Sequence, residues 1–98
     1  AGVPILFGSD TPVVPLARVA EEFQLLTDAG LSPEESLATA TVNAAAALGR
    51  ADTLGSIAPG KVADLIALHR DPRADLAEMA KVFFVMKGGK VVREDAVR

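Results

Sequence analysis

Asp10 is the acidic side chain whose surroundings most invite a chemical reading: it stands in Gly8-Ser9-Asp10-Thr11, directly after the apolar run Val3-Pro4-Ile5-Leu6-Phe7. In parallel α/β barrels the C-terminal end of a strand is where catalytic groups converge. A carboxylate there can bind a divalent metal, take a proton from metal-bound water, or do both. The same four residues also suit an Asx-type turn or a helix start, with the carboxylate satisfied by nearby backbone N–H groups. Taken alone they favour the turn, because Ser-Asp-Thr is common turn chemistry.

The other polar candidates have structural readings. His69, the single histidine, follows the apolar run Val62 to Leu68 and reads as a strand-end residue rather than a metal ligand. Asp64 comes after the Pro59-Gly60 turn and is expected to accept hydrogen bonds from turn N–H groups. Asn43, inside an expected helix, has an amide able to bond a neighbouring loop; Thr11 is placed to position Asp10 or to shape a substrate entrance. Lys61 and Lys87 read as solvated turn charges. One carboxylate does not make a catalytic zinc site, which takes three protein ligands and an open position.

The elements that must position these residues can be placed by pattern. Val3 to Phe7, ended by Gly8, fits a short strand covered on both faces, with Pro4 tolerated at its beginning. Thr11 to Pro15 carries two prolines and reads as a loop. From Leu16, the apolar positions Val19, Ala20, Phe23, Leu26 and Ala29 recur at helical spacing, and Gly30 is placed to end that helix. Ser32-Pro33-Glu34-Glu35 announces a second helix through an N-cap hydroxyl, a proline at the first position and a capping-box glutamate. That helix is expected to run to Leu48, with Gly49 as its stop and the small residues Ala44 to Ala47 allowing close approach to a neighbour. Beyond it, Gly55-Ser56-Ile57 begins a strand-like region and Val62 to Leu68 reads as a strand. Arg70 to Ala80 reads as a polar linker with at most a short helical turn. Val82 to Met86 and Val91-Val92 flank Lys87-Gly88-Gly89-Lys90, a hairpin signal.

The bulk numbers set outer limits. With 98 residues, half of them apolar, the chain has material for one compact core. Its net charge of −3, without a block of like charge, argues against nucleic acid or a membrane surface as partner. No apolar run reaches the roughly 20 residues of a membrane span, and the first residues lack the pattern of a signal peptide; a cytoplasmic location is the default expectation. Lack of cysteine excludes disulfides and thiolate metal sites. The chain opens at Ala1 and enters an apolar strand almost at once, so a missing N-terminal portion is expected.

Read in order, four motifs form a larger pattern: Gly8-Ser9-Asp10-Thr11 after its apolar run; Thr41-Val42-Asn43-Ala44-Ala45 with Leu48-Gly49; Gly55-Ser56-Ile57-Ala58-Pro59-Gly60-Lys61-Val62-Ala63-Asp64-Leu65; and Val85-Met86-Lys87-Gly88-Gly89-Lys90-Val91-Val92. Each is weak singly. Together they cover nearly the whole chain and resemble the C-terminal end of the amidohydrolase superfamily, above all imidazolonepropionase-like amidohydrolases and related metal-dependent dipeptidases. The resemblance implies an α/β fold: the last strand and following helices of a (β/α)8 barrel over residues 1–50, and C-terminal strands of a small composite β-sandwich over 51–98. It implies that Asp10, after the eighth barrel strand, is a metal ligand and the general base. The family's His-x-His pair, bridging lysine or carboxylate and middle-strand histidines have no counterpart here.

Two functional readings follow. In the first, the chain is the C-terminal portion of a metal-dependent hydrolase of C–N bonds in amides, peptides or cyclic imides, using a divalent metal, zinc by expectation, and is inactive by itself. In the second, it is a non-catalytic binding or assembly module associating through exposed strands, including with copies of itself.

Overall fold

Residues 3–8 and 16–95 are described by the computed structural model; statements of structure below refer to these. The expected first helix begins as a 3₁₀ helix, Leu16–Glu21, and becomes α-helical as α1, Glu22–Asp28. It ends at Gly30, whose φ of 121° is open to glycine, with Gly30 N–H donating to the Thr27 carbonyl and Leu31 N–H to that of Leu26.

Helix α2, Pro33–Thr39, starts as its sequence dictates. Ser32 Oγ accepts from Glu35 N–H at 3.1 Å, while a Glu35 carboxylate oxygen accepts from Ser32 N–H at 2.9 Å. The expected continuation to Leu48 is interrupted: the backbone leaves the helical region at Thr41 (φ −123°, ψ −95°), and a separate helix α3 spans Val42–Ala47. Thr39 Oγ1 donates to the Ser36 carbonyl at 2.6 Å and Thr41 Oγ1 to that of Leu37 at 2.9 Å. Hydroxyls that bond back onto the preceding turn compete with the backbone ladder and bend helices, which apolar spacing alone does not reveal.

The C-terminal half holds a three-stranded antiparallel sheet in the order β1 (Leu65–Ala67), β2 (Phe84–Lys87), β3 (Lys90–Glu94). Lys87 pairs with Lys90 across Gly88 and Gly89, both at positive φ, as a two-residue hairpin turn demands. Between Val85↔Arg93 and Met86↔Val91 the register slips by one residue. The chain therefore has an α/β composition with its helices before its sheet.

One strand expectation is corrected, and another has no partner among the described strands. Gly55-Ser56-Ile57 is a bend rather than a strand, and Ile57 is 88% exposed. Residues 3–8 form no ladder, and Val3, Ile5 and Leu6 are exposed. An apolar segment becomes a paired strand only when neighbouring strands take its N–H and C=O groups, and none of the described strands lies beside it. The polar linker does form the short helical turn, a 3₁₀ helix at Leu76–Ala80 capped by Asp75. This turn packs on Leu16–Glu21 and α1, joining the two halves of the chain. Among the described residues the buried apolar side chains are Phe23, Ala45 and Leu76.

Candidate functional site

Asp10, together with Ser9 and Thr11, lies outside the described residues. What the structure defines is the stem that leads to it. Phe7 N–H donates to the Thr39 carbonyl at 3.0 Å, and Asn43 Nδ2 donates to the Ile5 carbonyl at 3.2 Å, across 38 residues of sequence. The Phe7 ring lies 4.6 Å from that of Phe23, tilted by 36°. The segment before Gly8 is thus held by α1, by the end of α2 and by the first turn of α3.

These holding points are themselves held. Ser36 and Thr39, the most deeply buried side chains, tie α2 inward: Ser36 Oγ donates to the Phe23 carbonyl at 2.7 Å, so the backbone of the residue that meets Phe7 is fixed from the opposite side. Polar groups buried this fully are stable only when paired, and both hydroxyls are. Asn43 bonds a neighbouring segment as its type suggests. Thr39 gives no signal in the sequence, because its contribution is a backbone carbonyl set free by the interruption of the helix.

The remaining polar candidates lie in the sheet half. Asp64 Oδ1 accepts from Gly88 N–H at 2.8 Å, so its structural reading holds, with the donor in the hairpin turn rather than the Pro-Gly turn. His69 is exposed and stacks on Phe83, rings 4.1 Å apart and 13° from parallel. Lys61 differs from its expectation as a solvated charge: its ammonium donates to the Ala51 carbonyl and to Ser56 Oγ, both at 2.7 Å, and pins the 51–56 loop. Sequence reading missed this because the acceptors are a backbone carbonyl and a hydroxyl with no charge to announce them. Between α3 and β1 runs a cavity of ≈ 420 Å³, lined by Ala44, Leu48, Leu54, Ile57, Val62 and Leu65 among others. It is largely apolar, and the one carboxylate on its wall, Asp64, is already engaged.

Among the described residues, perturbed carboxylates lie at turns and element ends. The Arg73 side chain, then its backbone N–H, holds the Asp71 carboxyl down at about 2. Glu35 is lowered by its capping bond from the Ser32 backbone, then by the Ser32 hydroxyl. Among the described residues no three His, Cys, Asp or Glu side chains come together in a way that could hold a metal ion. The described residues alone therefore do not fit a metal centre, and no helix among them is long and apolar enough to cross a membrane.

Comparison with known proteins supplies the wider frame. Residues 1–92 match the model of the amidohydrolase family. The imidazolonepropionase of Geobacillus kaustophilus (strain HTA426) is 39% identical over 103 residues, covering 97% of this chain and 24% of that protein. A candidate prolidase from Bifidobacterium longum superposes with a TM-score of 0.88 at 37% identity, over 99% of this chain and 25% of its own. An amidohydrolase from Thermotoga maritima MSB8 gives 0.79 at 36% identity, over 95% and 24%. The chain spans about a quarter of the length of these relatives.

Proposed function

We propose, from a chain that belongs to the amidohydrolase family, that it forms the C-terminal portion of a metal-dependent hydrolase of C–N bonds and contributes Asp10 as metal ligand and general base. The observation that carries the proposal is the likeness over nearly the whole chain to proteins four times as long, one named an imidazolonepropionase and one a candidate prolidase. Those names bracket the substrate class: a cyclic imide or ring amide at one end, a peptide bond at the other.

On this reading, residues 1–50 end a (β/α)8 barrel, Val3 to Phe7 being its last strand, and residues 51–98 complete a small composite β-sandwich. The exposure of Val3, Ile5 and Leu6 supports it, since a strand apolar on both faces belongs between neighbours. The divalent metal, zinc by our reading, supplies carbonyl polarisation and an acidified water when bound. Asp10 accepts the proton of the attacking water and returns it to the leaving nitrogen, so that the amine departs neutral. The remaining ligands come from parts of the protein outside these 98 residues, since one carboxylate does not complete a catalytic zinc site. By our reading the working protein acts in the cytoplasm, with small amides or peptides as its partners.

The exposed apolar side chains Leu48, Ile57 and Val92 also suit the second reading, a module that only associates. One substitution separates the two. In the full-length protein Asp10→Asn is expected to lower kcat by about 10²- to 10⁴-fold, the usual contribution of a positioned general base, and to weaken metal binding. Full activity in that variant would overturn the assignment.

A further inference from the structure

We draw no further inference here: the strongest candidate, the largely apolar cavity of ≈ 420 Å³ between α3 and β1 with exposed Leu48 and Ile57 on its wall, is an unpartnered apolar face, and nothing in the structure shows what covers it.

Discussion

Ser32 and Glu35 close a reciprocal pair of hydrogen bonds at the start of α2, and that helix carries the buried hydroxyls that fix the stem. Loss of the N-cap in Ser32→Ala is expected to cost about 1 kcal/mol of stability, read from denaturant unfolding. It should let the Glu35 carboxyl rise only in part, because the Ser32 backbone N–H, the larger influence holding it low, stays while the hydroxyl is lost. Asp71 offers a sharper titration. Its carboxyl lies at about 2 in the folded chain against 3.8 for the free group, so the folded state favours the charged form. The sign follows: its small contribution to stability is complete above pH 3.8 and is lost as pH falls from about 4 towards 2. An NMR titration of Asp71 should show a midpoint near 2, moving towards the ordinary aspartate value in Arg73→Ala. At this scale Asp64 and Asn43 were legible from residue type and neighbours, whereas Lys61 was not. A lysine in a Pro-Gly-Lys turn gives no sign that a carbonyl and a hydroxyl lie within 2.7 Å of its ammonium.

Among the elements, those marked by backbone chemistry were read well and those marked only by apolar pattern were not. Gly30, Gly49 and the Gly88-Gly89 pair stand at positive φ where helix ends and a hairpin were expected. Ser32-Pro33-Glu34-Glu35 starts α2 as written. The interruption at Thr41 escaped because the apolar spacing continues across it, and the hydroxyl bonds that break the helix are tertiary in consequence though local in origin. Gly55-Ser56-Ile57 failed as a strand for a different reason. Gly55 sits at φ +94°, and a Cβ there would stand 2.7 Å from that of Ala45 and 2.9 Å from the Thr41 carbonyl oxygen. Close approach of the loop to α3, rather than pairing, explains this glycine and the small residues it faces. Gly55→Ala should therefore destabilise the chain by about 1–3 kcal/mol, through both the backbone angle and the overlap. The thermal midpoint would fall, while Gly60→Ala, also at positive φ but facing open space, should cost less.

Across the whole molecule, exposed apolar surface is the informative quantity. Val3, Leu48, Ile57 and Val92 are exposed, and the buried apolar side chains among the described residues number three. Such exposure is what the proposed reading expects of a portion of a longer family member. A dye that binds exposed apolar surface should fluoresce with the isolated chain, and the signal should fall when the rest of the protein is added.

Complementation bears most directly on the role given to these 98 residues. The purified chain is mixed with the remaining three-quarters of the full-length protein, and hydrolysis of an imidazolone-type ring amide and of a proline-containing dipeptide is followed. Neither part alone is expected to hydrolyse either compound. Together they should turn over at least one of them, while a chain carrying Asp10→Asn should associate equally well and restore no activity. Hydrolysis by the isolated chain, or equal rescue by the Asp10→Asn chain, would contradict the assignment of Asp10 to a centre completed by the rest of the protein.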